Sequence, residues 1–121
     1  RLRAATPALQ RGLQVIERLK GDEAVFFRVL QHGDVAQTAL VLLNKGDRAK
    51  IFDVNRYLQA GSWRDALEGG SLRVDGSLKA EVPAHGVKVY VLDAAVQQPV
   101  LQAELDKAMA DQKARDLRLG R

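Results

Sequence analysis

The chain has 121 residues and a formal net charge of +4, enough for one domain with an ordinary core and little room for a second. It has no cysteine, which excludes disulfides, thiolate metal sites and a thiol nucleophile. The surplus charge sits at the ends, on Arg1, Arg3 and Arg11 and on Lys113, Arg115, Arg118 and Arg121. A nucleic-acid binder shows instead a basic stripe with interleaved aromatics.

The chain opens at Arg1 and its only methionine is Met109, so it is read as a piece cut or processed from something longer. It carries no signal-peptide pattern and no apolar run of transmembrane length, so no membrane partner is expected. The compartment stays open.

Three zones follow in chain order. Residues 1–12 are expected to be the end of a helix, favoured by Arg3, Ala4 and Ala5, interrupted by Pro7 and closed by Gly12. Residues 13–93 carry strand patterns. Leu13, Val15, Glu17 and Leu19 alternate with Gln14 and Arg18, although Ile16 breaks the rule. Gly21-Asp22-Glu23 turns the chain. Val25, Phe27 and Val29 then share one face, and His32-Gly33-Asp34 is the next turn. Residues 39–43 are apolar on both faces, as a central strand is. After a turn at Asn44-Lys45-Gly46-Asp47, a strand runs through Ile51, Phe52 and Val54.

The second half is expected to hold a strand from Ser62 to Leu67, then Leu72 and Val74 leading into Asp75-Gly76. That dipeptide tolerates positive φ and signals a hairpin. Leu78, Ala80 and Val82 leave it, and Val87, Val89 and Val91 make the last strand. Seven or eight short strands at this spacing predict an all-β, antiparallel Greek-key sandwich. Residues 94–121 change character to a linker and a helix over 99–119. Pro99 suits its first turn, Leu101, Leu105, Ala108 and Met109 recur at helical spacing, and Asp111 and Arg115 are placed for an ion pair. This narrow stripe fits the sandwich, an absent domain, or a partner helix, including self-association through residues 99–119.

Motifs for chemistry are sparse. His32 and His85 lie in different turns without metal-ligand spacing. Gly69-Gly70-Ser71 lacks the frame of an exposed serine nucleophile. Asp53, Asp65 and Glu68 are close in sequence, but no flanking pattern tunes them for the two-carboxylate work of glycoside hydrolysis. No catalytic residue, metal or cofactor is assigned. The candidate carbohydrate-binding residues are Trp63, flanked by Arg64 and Asp65, and Tyr57. The favoured alternative is that Trp63 buries its ring and gives its N–H to a backbone partner.

Five segments carry a family resemblance. Leu2–Gly12 resembles the segment that closes the last barrel helix of α-amylase-family glycoside hydrolases, and Ala24–Arg28 resembles the strand that opens their C-terminal domain. Leu40–Asp47, Trp63–Leu67 and Val82–Leu92 resemble its later strands. Together they cover residues 1–93 in the family's order. The resemblance implies a non-catalytic β-sandwich accessory domain of an α-amylase, cyclomaltodextrinase or cyclomaltodextrin glucanotransferase-like enzyme. Such enzymes cleave or transfer α-1,4-glucosidic bonds by a retaining mechanism on an absent barrel. The implied partner is that catalytic barrel, met through Leu2, Leu9 and one sandwich face. The alternatives are a starch- or maltodextrin-binding module built on Trp63, with α-glucan as ligand, and a protein-interaction domain built on the C-terminal helix.

Overall fold

The computed structural model describes residues 6–118. The expectations placed on residues 1–5, Leu2 among them, and on residues 119–121 lie outside the described residues. Eight strands are framed by a short helix α1 (Pro7–Arg11) and a long helix α2 (Pro99–Arg118). The strands are β1 (Leu13–Lys20), β2 (Glu23–His32), β3 (Val35–Asn44), β4 (Lys50–Val54), β5 (Gly61–Asp65), β6 (Ser71–Val74), β7 (Leu78–Val82) and β8 (Val87–Leu92). They form a six-stranded sheet in the order β1-β2-β3-β8-β5-β6 and a two-stranded sheet β4-β7. Every pairing is antiparallel. The chain crosses between sheets after β3, β4, β6 and β7, giving the sandwich predicted from sequence.

Local chemistry explains the first two hairpins. Gly21 at φ 59° and Gly33 at φ 60° each open a two-residue turn between paired strand ends. Positive φ there matches the right-handed twist of the flanking strands and suits glycine. The predicted hairpin at Asp75-Gly76 does not form. The turn is present, but β6 pairs with β5 and β7 pairs with β4, so the chain changes sheets there. A turn dipeptide sets a local reversal and not the identity of the strand that receives the backbone. The hairpin of this region lies one turn earlier, where β5 ends at Asp65 rather than Leu67. Its Oδ1 accepts the N–H groups of Leu67 (3.0 Å) and Glu68 (2.9 Å) and bends the chain away from the strand.

β1 explains the misfit of Ile16. A bulge between Ile16 and Arg18 shifts the register against β2. Leu13 and Val15 pack on the core, Glu17 is buried, and Leu19 emerges 64% exposed on the opposite side. One extra residue flips every later side chain. β3 has partners on both sides and buried residues on both faces, as its sequence predicted. Pro7 begins α1 rather than interrupting a helix, because a first-turn residue has no intrahelical N–H bond to lose.

The main core lies between the sheets, with Val25, Phe27 and Val29 of β2, Leu40 and Leu42 of β3, Phe52 and Val54 of β4, and Trp63 of β5. Two strands cannot cover six. The loop after β4 and helix α2 complete the layer over β1 and β2, and Val96, Leu101 and Leu105 join the same core. The C-terminal helix therefore docks on its own sandwich.

Candidate functional site

The outer face of the six-stranded sheet is not the polar surface that a free sandwich presents to water. Ala39, Val41, Val89 and Val91 form a second apolar cluster there, flanked by Phe26, Leu30 and Ala66. Helix α1 covers part of it with Ala8 and Leu9. Beside the helix an open hollow of about 230 Å³ remains, lined by Leu9, Phe26, Arg28, Val41 and Val89.

Polar contacts fix α1 on this face. The Ala8 N–H donates to Gln37 Oε1 at 3.0 Å, and Gln37 Nε2 donates to Asp93 Oδ1 at 2.7 Å. Asp93 in turn pairs with Arg64 Nε at 2.7 Å. The Arg64 guanidinium holds the Asp93 carboxyl below its ordinary range, against the opposing effect of burial and with help from Gln37. Arg28 Nε donates to the Gly12 carbonyl at 2.9 Å. At Gly12 a Cβ would collide with the Ala8 carbonyl oxygen and stand 3.0 Å from Val29 N, so glycine lets the helix end lie on β2. The sequence marked Leu9 and one sandwich face. It did not mark Gln37 or Asp93, because their partners are 29 and 56 residues away.

The two candidate sugar-binding residues are separated by burial. Trp63 is wholly buried in the main core, and its Nε1–H donates to the Gln59 carbonyl at 2.9 Å. A stacking platform at Trp63 would require the ring to leave the core. Tyr57 is half-buried at φ 61°, an uncommon conformation for an aromatic residue. Its ring meets Phe27 edge-on at 6.4 Å, and Arg56 lies over it at 5.2 Å.

The remaining candidates have structural partners. Asp65 and Glu68 converge on Lys88, at 3.4 and 3.2 Å. Burial opposes the Asp65 charge, but the N–H groups of Glu68 and Leu67 together with Lys88 outweigh it and lower its pKa. Asp53 is exposed, and its backbone carbonyl accepts from Arg18 Nη2 at 2.8 Å. His32 and His85 are both exposed, and the His85 backbone N–H donates to the Gly46 carbonyl at 3.0 Å. Among the described residues no group of three or more His, Asp or Glu side chains is placed to hold a metal.

A family model, that of the α-galactosidase C-terminal β-sandwich domain, matches residues 20–92. No curated protein sequence matches the chain significantly. Solved structures share the fold. α-Galactosidase I from Mortierella vinacea aligns with TM-score 0.61 and 21% identity, over 75% of this chain and 26% of its own. An Anoxybacillus α-amylase aligns with TM-score 0.63 and 24% identity, over 79% and 21%. An α-amylase from Geobacillus thermoleovorans aligns with TM-score 0.62 and 25% identity, over 77% and 21%. The chain thus spans about a fifth to a quarter of the length of these enzymes.

Proposed function

This chain belongs to the family of α-galactosidase C-terminal β-sandwich domains, and from that premise we propose that it shields and steadies the catalytic barrel of an α-glycoside hydrolase through the outer face of its six-stranded sheet. The carrying observation is the apolar cluster on that face, with the hollow left beside α1. The cluster's own members are buried, and what α1 leaves open is the rim of half-buried Phe26, Leu30 and Ala66 around them, which a barrel surface would cover. Helix α1 fits the role of the segment arriving from the barrel, with the sandwich of residues 13–93 and the helix α2 docked on it as the accessory domain. Catalysis is assigned to the barrel, and the carboxylates Asp65 and Glu68 here are tied to Lys88.

The substrate class of the parent hydrolase follows the family name first, an α-galactoside. The sequence resemblance to α-amylase-family enzymes and the likeness to the Geobacillus α-amylase support an α-glucan as the second choice. Activity of the parent enzyme on an α-galactoside against a maltooligosaccharide separates the two.

Introducing a charge at Val89, which is buried on the outer face, tests the shielding role. In the parent hydrolase, Val89→Asp should lower the melting temperature of the catalytic domain and leave turnover at low temperature unchanged. An unaltered catalytic-domain melt would sink the proposal. A sugar-binding role is the second reading, favoured at Tyr57 by its positive φ, because strained backbone concentrates at functional positions. Titration with maltoheptaose or β-cyclodextrin should then shift amides around residues 55–59. Silence up to millimolar sugar would remove this reading.

A further inference from the structure

Helix α2 changes its surroundings halfway along. Leu101 and Leu105 are buried and Ala108 is half-buried. From Met109 to Leu117 every side chain is exposed except Asp116, which is half-buried, and Met109 and Leu117 are 63% and 68% exposed. Met109, Gln112 and Arg115 overhang an open groove of about 540 Å³, closed on its other side by Arg11, Leu13 and Leu30.

The charges on this helix are segregated along its axis. Glu104, Asp106 and Asp111 face only Lys107 in the first stretch, a net of −2 from three acids and one base. In the sequence of the second stretch Lys113, Arg115 and Arg118 are accompanied only by Asp116, a net of +2 from three bases and one acid. The helix dipole explains bases in the last turn but not this placement of acids, since its effect is confined to the terminal turns and the first turn holds no acid. Among the residues whose side chains are described, which end at Leu117, no ion pair involves α2. The Asp111–Arg115 pair expected from spacing does not form, and Arg115 contacts Gln112 instead.

We propose that α2 is a homodimerisation element: a second copy lays its own α2 antiparallel along the exposed half, centred near Gln112. A twofold axis at that point lays the acidic stretch alongside the partner copy's basic one. It covers Met109 at the centre of both copies. A parallel arrangement would oppose like charges, so charge selects the orientation. This interface lies on α2 and not on the outer sheet face, so it stands or falls independently of the barrel-shielding role.

Sedimentation of the 121-residue chain over micromolar to millimolar concentration tests it. The unmodified chain should show a concentration-dependent dimer that weakens as salt rises. Met109→Lys should leave a monomer. The double reversal K113E/R115E should raise the dissociation constant on the order of tenfold, and adding D106K/D111K should restore it. All five positions are exposed, so Trp63 fluorescence should report an intact fold in every variant. A monomer at millimolar concentration overturns the proposal. So does a dimer indifferent to Met109→Lys or to the charge reversals.

Discussion

Replacing Asn44 with alanine would remove one side chain from four backbone contacts. Its Nδ2 donates to the carbonyls of Arg48 (2.8 Å), Val82 (3.1 Å) and Pro83 (3.2 Å), and its Oδ1 accepts from the Gly46 N–H at 2.9 Å. The residue is fully buried, so water cannot substitute. Asn44 thereby ties the end of β3 to its own turn and to the end of β7. Leaving buried backbone groups unpaired should cost about 2–4 kcal/mol, read by denaturant unfolding, and a loss under about 1 kcal/mol would contradict this role. Phe27→Ala should cost about 3–5 kcal/mol, because the ring is wholly buried among both sheets and meets Tyr57. Asp65 adds a pH dependence. Its carboxyl ionises below the ordinary value of 3.8 in the folded chain. The stability it contributes is therefore complete above that value and is lost as pH falls through the lower, folded-state pKa. Asp65→Asn keeps an oxygen for the turn but removes the charge, so it should flatten stability between about pH 5 and pH 2. An unchanged acid limb in the melting temperature would count against it.

At the scale of elements, α1 is the most sensitive to one atom. Gly12→Ala places a methyl group against the Ala8 carbonyl and Val29 N, where backbone and not a flexible side chain must give way. The expected result is a displaced α1, with a loss of about 1–3 kcal/mol and fast exchange of the Ala8 amide, while β2 and β3 amides stay protected. Slow exchange at Ala8 would show that the helix end tolerates the methyl. The same elements show what periodicity reveals. Val25, Phe27 and Val29 alternate without interruption and were legible, as was β3 with its two apolar faces. β1 was legible only up to its bulge, since a parity change leaves no mark beyond one misplaced residue such as Ile16. The pairing of β6 with β5 was hidden because ladder partners are chosen by the whole sheet. Trp63 was legible too: the sequence favours a buried ring with its N–H on a backbone partner, and the ring is buried with Nε1–H on the Gln59 carbonyl, while its neighbour Arg64 reaches Asp93 on the outer face.

At the scale of the molecule, the sandwich was legible because strand spacing and turn chemistry agree. The outer-face site was legible only as apolar residues. The Arg64–Asp93–Gln37 chain that holds α1 joins residues remote in sequence, and no short motif encodes it. The resemblance to α-amylase-family enzymes identified an accessory sandwich of a glycoside hydrolase, while the matching family is named for α-galactosidases. Structures of both enzyme types share the fold of this chain at similar TM-scores, 0.61 and 0.63, so the sandwich alone does not separate them.

The helix beyond the matched residues belongs to the same folding unit. Val96, Leu101 and Leu105 are buried in the main core, and burying three such side chains stabilises by roughly 5–8 kcal/mol. Domains of this size have total stabilities of about 5–15 kcal/mol. A chain ending at Ala95 should therefore lose its cooperative melt and expose the core beneath α2 to a hydrophobic dye. A chain ending at Ala108 keeps all three side chains and should melt within a few degrees of the full chain. A cooperative, dye-silent melt from the shorter chain would mean that α2 rests on a sandwich already complete without it.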